Sequence, residues 1–209
     1  MDTLNKINIT RSSKINLDIN TTVILFDNTK PLKDILKKHV PISTKYDNLI
    51  KEIGDKFKNN SRQESIMFIT HPEDSNKFHK VIIIGYPKNE IKTVALELDE
   101  YRHIGYKIYK GMTHNQLTMV NIICPNEYQH IECLLEGILL STYSFDMFKT
   151  KSRIDRQVPK TQLESINIVC LDKNTHFNKL VKKLVSKIEV VFFCKDLVNL
   201  PSNHLKPDT

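Results

Sequence analysis

The chain has 209 residues, of which 40% are hydrophobic, and this is enough for one sizeable core with a short appendage. Basic residues exceed acidic ones by 31 to 24, a net charge of +7 that favours polyanions only weakly, because many lysine-rich domains bind none. No apolar run approaches the roughly 20 residues of a membrane span, and the N-terminus lacks the apolar core of a signal peptide, so we expect a soluble, cytoplasmic protein.

The first third of the chain predicts two strands and two short helices. Residues 6–10 and 21–26 are rich in β-branched side chains, and we expect the two strands to pair as neighbours. Residues 30–40 place apolar side chains at helical spacing, and residues 43–57 predict a second helix whose opening serine or threonine is the N-cap. Both helices are expected to lie on the surface.

The middle of the chain alternates strands with a helix. Residues 65–70 and 80–86 predict strands, and the second is apolar almost throughout, as expected for a strand that is covered on both faces. Residues 90–110 carry apolar side chains at helical spacing, with Gly111 as the expected C-cap. Residues 117–124 predict another strand. This alternation indicates an α/β fold with a sheet between helices.

The clearest core element is a helix that we expect Asn126 to cap. Its apolar positions repeat at helical spacing and predict one buried face: Ile131, Leu134, Leu135, Ile138 and Leu139. Gly137 in its middle costs about 1 kcal/mol relative to alanine unless close packing against a neighbouring layer offsets the loss. We therefore expect this helix to lie close against the sheet.

The last part of the chain predicts a loop, a strand and a long helix. Residues 152–160 are polar, and residues 165–171 predict a strand. Residues 189–194 have the composition of a strand, but their apolar side chains continue the helical period that begins earlier. We predict one helix over 175–199. The fold class is thus α/β, with a mixed sheet of about five or six strands between helices and a long C-terminal helix.

The cysteines and the lysines of the last helix have ordinary structural explanations. The four cysteines form no C-x-x-C pair and are expected to be mostly buried free thiols in a reducing compartment: Cys124, Cys133, Cys170 and Cys194. The lysines lie off the apolar face of their helix and predict a solvated surface: Lys179, Lys182, Lys183 and Lys187.

The sequence shows no convincing catalytic or ligand-binding constellation. It lacks a nucleophile elbow, an H-E-x-x-H motif, a Walker loop and a G-x-G-x-x-G motif. Gly85 is followed by Tyr-Pro-Lys and favours a structural turn over a phosphate site. Glu127, His130 and Cys133 share one side of a helix, but no partner for a metal site is identifiable, so solvated or cap-side groups are favoured. We assign no catalytic, cofactor-binding or metal residue.

Two motifs about 50 residues apart resemble the leucine aminopeptidase (cytosol aminopeptidase) family. The first, EGxLLxxYxFDxFKxK, runs from Glu136 to Lys151, and the second, DLVNLPSNHLKP, runs from Asp196 to Pro207. The segment KVIIIGYPK, a strand followed by a glycine and then a lysine, is also similar in pattern to the family. Within the first motif, Lys149 and Lys151, with Asp146 nearby, could suggest a catalytic amine. The ordinary explanation is that the aliphatic stems of the lysines cover aromatic rings while their charges stay in water. These three residues therefore serve as family markers.

The resemblance implies a non-catalytic N-terminal domain that is similar in fold to macro domains. It places this domain at residues 1–173 and a linker helix at 174–209, leading to a C-terminal catalytic domain that these residues do not contain. In the family, that catalytic domain holds two divalent metals, zinc or manganese, and removes N-terminal amino acids from peptides. The N-terminal domain contributes to a homo-hexamer and to active-site access. The metal-binding Asn-Thr-Asp-Ala-Glu-Gly-Arg motif is absent here, so no metal is expected in this chain.

Two alternatives come from other functional classes. A free-standing macro-like module would bind ADP-ribose or a related nucleotide, although the glycine-rich phosphate loop and the Asn-x-Ala-Asn signature of such binders are absent. A nucleic-acid-binding module has the net charge in its favour, and some bacterial relatives bind DNA through this domain, but no reading motif is recognisable.

Overall fold

A six-stranded sheet lies between two layers of helices in a computed structural model of the chain. The model describes residues 4–26, 31–40, 42–59, 64–70, 77–86, 93–124, 128–145, 147–148, 163–170 and 176–201. The strands are β1 (Asn8–Ser12), β2 (Thr21–Phe26), β3 (Glu64–Thr70), β4 (Phe78–Gly85), β5 (Met119–Ile123) and β6 (Ser165–Val169). The helices are α1 (Leu32–His39), α2 (Asp47–Asn59), α3 (Val94–His114), α4 (Tyr128–Ser141) and α5 (Phe177–Asn199).

The strand order is β1-β6-β5-β2-β4-β3, and every neighbouring pair is parallel except β3 with β4. The predicted α/β class with a mixed sheet is confirmed. The expected pairing of the first two strands is wrong, because β5 and β6 lie between them. The reason is burial. β5 and β6 are almost wholly buried, whereas the polar β1 is only partly covered and lies at the edge, where water reaches one side.

The helices divide into two layers with separate apolar cores. Helices α3, α4 and α5 cover one face of the sheet, where the buried side chains include Ile104, Leu134 and Leu184. Helices α1 and α2 cover the other face, where Leu36 and Phe57 are buried. The predicted apolar positions of α4, from Ile131 to Leu139, all belong to the first core, as expected from their spacing.

Helices α3 and α4 approach each other backbone to backbone. A Cβ atom added at Gly137 would lie 2.8 Å from the carbonyl carbon of Arg102, and one added at Gly105 would lie 2.9 Å from the nitrogen of Ile138. Both distances are shorter than real Cβ atoms show. The neighbour that Gly137 approaches is therefore α3, because glycines on both helices let the two backbones touch, while the apolar side chains of α4 belong to the core on one face of the sheet.

Two details of the helix ends differ from the sequence prediction. Helix α3 continues past Gly111 to His114, because Met112 adds a further buried side chain to its inner face. The actual C-cap is Asn115, whose backbone N–H and side-chain Nδ2 both donate to the Gly111 carbonyl, the latter at 2.6 Å. The predicted cap Asn126 lies outside the described residues.

Among the described residues, no helix is long and apolar enough to cross a membrane.

Candidate functional site

The motif that begins at Glu136 joins three helices through one buried carboxylate. Glu136 lies on α4, and only 9% of its side chain is exposed. Arg102 of α3 donates its Nε–H to one carboxylate oxygen at 2.8 Å, and Lys187 of α5 donates from Nζ to the other at 2.6 Å. Because the two cations come from different helices, the carboxylate fixes α3 and α5 against α4. We call these three residues the Glu136 clamp.

The charges of the clamp set the pKa values of its members. Burial by itself raises the pKa of Glu136, but the hydrogen bonds from Lys187 and Arg102 outweigh it, so the pKa lies below the ordinary value of 4.5. The same hydrogen bond to Glu136 raises the pKa of Arg102. Glu136 is therefore ionised at neutral pH, and its negative charge is balanced on both sides. Lys187, which was predicted to be solvated, is half exposed but ends in this ion pair.

The two sequence motifs meet in space at Tyr143. Its hydroxyl donates to Asp196 Oδ1 at 2.8 Å and accepts from Asn199 Nδ2 at 2.9 Å, and both partners lie in the last turns of α5. The ammonium group of Lys195 lies 4.9 Å from the centre of the tyrosine ring, a distance at which cations and aromatic faces attract. This cluster, the Tyr143 joint, holds the end of α5 to the segment that follows α4.

Helix α5 changes character along its length. Its first half is built into the core through Phe177, Leu180, Leu184 and Ile188, which are all buried. Its second half carries apolar side chains that the described residues cover only in part, and the largest exposure is 85% at Val198. This outer stripe consists of Val190, Phe193, Leu197 and Val198. The predicted single long helix over 175–199 is confirmed. Because the Tyr143 joint holds the end of α5, the outer stripe faces away from the domain.

The structure buries two of the residues that the sequence considered as metal ligands. His130 stacks on the ring of Tyr101 with centroids 4.3 Å apart, and its Nε2 lies 3.5 Å from Glu97. The prediction that His130 is a solvated or cap-side group is therefore wrong. Cys133 is also buried, and burial raises the pKa of its thiol. Glu127 lies outside the described residues. Burial against aromatic and apolar groups explains both side chains without a ligand.

Other candidate residues are placed only in part. Gly85 is the last residue of β4, and Tyr86 after it donates its backbone N–H to the Phe26 carbonyl at 2.8 Å, while Pro87 and Lys88 of the expected turn lie outside the described residues. Asp146, Lys149 and Lys151 also lie outside them. Three cysteines are buried as predicted, whereas Cys194 on α5 is exposed.

No side chains in the described ranges are grouped as a metal site would require. No cluster of three or more histidine, cysteine, aspartate or glutamate residues there could hold an ion. Two-metal hydrolysis needs several carboxylates around a pair of ions, so these residues do not fit the metal centre that the resemblance implies for a full-length enzyme. We assign no step of catalysis to them.

Clefts open on both sides of the sheet, and two of them concern the candidate site. One lies at the carboxyl end of β2 between α1 and α2, and two of its lysines are paired: Lys33 with Asp47 at 2.6 Å, and Lys58 with Asp55 at 2.8 Å. The other, of about 480 Å³, lies between α3 and the face of strands β3 and β4. The paired lysines make the first cleft a poor phosphate site, because their charge is already neutralised.

The clamp partners were missed by the sequence interpretation. Arg102 lies on the flank of a helix rich in charged residues, and nothing in its local spacing distinguishes it from a solvated arginine. The available signal was Glu136 itself, a charged residue in the middle of the apolar run of α4. A carboxylate within a buried helix face needs a cationic partner from another element.

Comparison with known sequences identifies the family of the matched region. A sequence model described as the cytosol aminopeptidase family, N-terminal domain, matches residues 23–152. A probable cytosol aminopeptidase of Rickettsia canadensis is 29% identical over 165 residues, covering 75% of this chain and 31% of that protein. A probable cytosol aminopeptidase of Treponema denticola is 26% identical over 133 residues, covering 61% of this chain and 26% of that protein. The chain thus spans about a third or less of these relatives.

Comparison with solved structures gives the same fold. A structure of a tomato leucine aminopeptidase mutant matches with a TM-score of 0.66 over 97% of this chain and 40% of that chain, at 13% sequence identity. The match extends beyond residues 23–152 and includes the long helix α5. The architecture of strands and helices described above is therefore similar to that of part of this leucine aminopeptidase.

Proposed function

This chain belongs to the cytosol aminopeptidase family, whose N-terminal domain it carries, and we propose that it is the non-catalytic part of a two-metal leucyl aminopeptidase. In the proposal, residues 1–173 form the domain and residues 174–209 form the linker to a catalytic part. The full-length enzyme would act in the cytoplasm, remove N-terminal amino acids from peptides and use zinc or manganese. This domain would contribute to assembly of a hexamer and to access to the active sites.

The outer stripe of α5 is the observation that carries the proposal. Apolar side chains such as Phe193 and Leu197 are costly to leave in water, and together with Val190 they repeat every three or four residues along one side of a helix that is held by the Tyr143 joint. The relatives are more than twice as long as this chain, so their additional residues offer a natural cover for such a stripe. We infer that α5 docks on the catalytic part and sets its position relative to the domain.

A chimeric enzyme tests the docking role. This chain would replace the corresponding N-terminal third of the Rickettsia canadensis relative, and the purified chimera would be assayed for hydrolysis of a leucyl chromogenic amide and for its mass in solution. We expect an active, assembled enzyme. Changing Phe193 and Val198 to glutamine should lower assembly and activity together, because polar side chains remove the apolar contact. Matched changes of the exposed lysines Lys179 and Lys183 to glutamine should leave both properties intact.

The result that would overturn the docking role is a chimera that assembles and works equally well with the polar α5 variants.

A separate experiment tests the non-catalytic assignment. The purified chain alone, supplied with manganese or zinc, should not hydrolyse the leucyl amide. Metal-dependent turnover that persists through repurification would refute the assignment.

A further inference from the structure

The two edges of the sheet differ in how well they resist pairing with another strand. β1, at one edge, has five residues, most of them polar, and includes Arg11. β3, at the other edge, has seven residues with neither proline nor lysine, and it pairs with β4 without a bulge from Glu64 to Thr70. Prolines, lysines, bulges and short length are the features that usually prevent edge-to-edge association. β3 is therefore the edge that can accept a further strand.

The outward-facing backbone groups of β3 follow from the hydrogen bonds of β4. Lys80 of β4 donates its backbone N–H towards β2, to the Asn20 carbonyl at 2.8 Å. Backbone groups alternate in direction along a strand, so the even-numbered residues of β4 face β2 and the odd-numbered ones face β3. These odd-numbered residues lie opposite odd-numbered residues of β3. The backbone N–H and C=O groups of Glu64, Ile66 and Phe68 therefore point away from the sheet.

Tyr46 closes this open edge at one end. Its hydroxyl accepts the backbone N–H of Thr70 at 2.9 Å and lies 3.1 Å from the Thr70 hydroxyl. Lys45 donates from Nζ to the same Thr70 hydroxyl at 3.0 Å. The bond from Thr70 to Tyr46 agrees with an outward direction for the even-numbered residues of β3. The open length of the edge is thus residues 64–68.

The side chains along this open length are exposed as well. Ile66 is 52% and Phe68 is 57% exposed, and both lie on the same face of the sheet because they are two residues apart. Glu64 and Lys45 are also exposed. In the part of the chain that the structure describes, Lys45 contacts a hydroxyl and the Tyr46 ring, and neither Lys45 nor Glu64 contacts an oppositely charged group. Both charges are available to a partner.

We propose that β3 pairs with β3 of a second copy of the chain, antiparallel and with a two-fold axis at Met67, so that the two sheets join edge to edge. Ile66 of each copy then lies opposite Phe68 of the other, and each such pair exchanges both of its backbone hydrogen bonds. Glu64 of each copy lies opposite Thr70 of the other, beside Lys45. An ammonium group donates several hydrogen bonds, so Lys45 keeps Thr70 and also binds the carboxylate.

Side-chain complementarity favours this register and this occupant. Shifting the axis to Ile66 would place Glu64 against the ring of Phe68 and would separate its carboxylate from Lys45. An unrelated extended peptide could use the same backbone groups, but a second copy brings an apolar partner for each apolar side chain and a carboxylate for each Lys45. The contact is self-complementary, as a two-fold interface requires. It rests on the proposed function only for its place in a hexamer, and it leaves the outer stripe of α5 unused.

Charge reversal tests the register by sedimentation equilibrium of the purified chain. Glu64→Lys places ammonium groups against each other at both symmetric contacts, and Lys45→Glu does the same with carboxylates. Each variant alone should dimerise at least about tenfold more weakly than the native chain. An equimolar mixture of the two variants should recover the native affinity, because each mixed contact again joins opposite charges.

A matched pair of lysine substitutions separates the interface from folding and from the α5 surface. Ile66→Lys puts a charge on the open edge and should abolish the dimer, whereas the far-ultraviolet circular dichroism should stay native because Ile66 is half exposed. Val198→Lys adds the same charge to α5 and should leave the dimer unchanged. Failure of the docking role of α5 and failure of this interface are therefore observed independently.

Amide hydrogen exchange identifies the strand that pairs. The amides of Ile66 and Phe68 should become protected as the concentration of the native chain rises, because they enter the new ladder. The amide of Met67, which faces β4, should be protected at every concentration.

Four outcomes would overturn the interface. They are a native chain that remains monomeric up to about 1 mM, a dimer indifferent to both charge reversals, a mixture that fails to recover affinity, and exchange at Ile66 and Phe68 that does not depend on concentration. Binding of an unrelated extended peptide that is lost in Ile66→Lys, without any dimer, would also refute it and reassign the edge.

Discussion

Replacing Gly137 with alanine is expected to destabilise the domain by about 2 kcal/mol. The new methyl group would lie 2.8 and 2.9 Å from two backbone atoms of Arg102, where carbon atoms ordinarily need about 3.5 Å. Because backbone cannot rotate away, α3 and α4 must separate, and we place the cost at about 3 kcal/mol, the upper end for overpacked cores. The better helix propensity of alanine offsets about 1 kcal/mol of this.

Urea unfolding followed by circular dichroism measures the difference, which corresponds to a fall in Tm of about 4 to 8 °C for a chain of this size. Gly111→Ala is the matched control, since its methyl group meets nothing within 4 Å and should raise stability by up to about 1 kcal/mol. The two substitutions are chemically identical and both lie inside helices, so their opposite signs isolate the helix contact. Equal stability of the two variants would refute the reasoning.

Three further predictions concern the clamp, the joint and the thiols. Glu136→Gln should lower the unfolding free energy at pH 7 by about 1 to 2 kcal/mol, a value reduced because the partner cations are partly solvated. The pKa of Glu136 in the folded state lies below 4.5, so its contribution to the free energy of unfolding is complete above about pH 5 and is lost as the pH falls. In urea titrations from pH 6 to 3, the free energy of unfolding should therefore decline less steeply in the variant than in the native chain. Tyr143→Phe should speed amide hydrogen exchange in the last two turns of α5, because the hydrogen bonds to Asp196 and Asn199 are lost, and unchanged exchange there would contradict the Tyr143 joint. Cys194 should react at once with a thiol reagent, whereas the three buried cysteines should react only on unfolding, because the reagent cannot reach them and because burial raises the pKa of Cys124 and Cys133.

The periodic elements of the fold were accessible from the sequence because packing demands repeat along the chain. The buried face of α4 and the full length of α5 follow from apolar residues at helical spacing, and the buried strands follow from continuous runs of isoleucine and valine. The two motifs that carry the family resemblance meet at the Tyr143 joint, since Tyr143 belongs to one and Asp196 to the other, but the sequence did not predict this contact.

The sequence did not predict which polar residues pair across long stretches of the chain, because such partners share no local pattern. Asn121 and Asn167 occupy buried positions in neighbouring strands, where asparagine is disfavoured. The side-chain amide of Asn167 donates a hydrogen bond of 2.8 Å to Oδ1 of Asn121. Asn121 also holds the link between β1 and β2 by bonding both backbone groups of Asn16. The same limit explains the missed position of β1, whose partner strand follows it by about 150 residues.

That pairing between the first and last strands of the sheet has a consequence for synthesis on the ribosome. Asn8 is opposite Ser165 and Ser12 is opposite Val169, so β1 emerges long before its partner exists. At about 5 to 20 residues per second, β1 waits roughly ten to thirty seconds for β6. Its polar composition, with Arg11 and a single apolar residue, keeps the waiting strand soluble and discourages pairing with other chains. The domain is closed by its last strand, and the polarity of β1 protects the nascent chain until then.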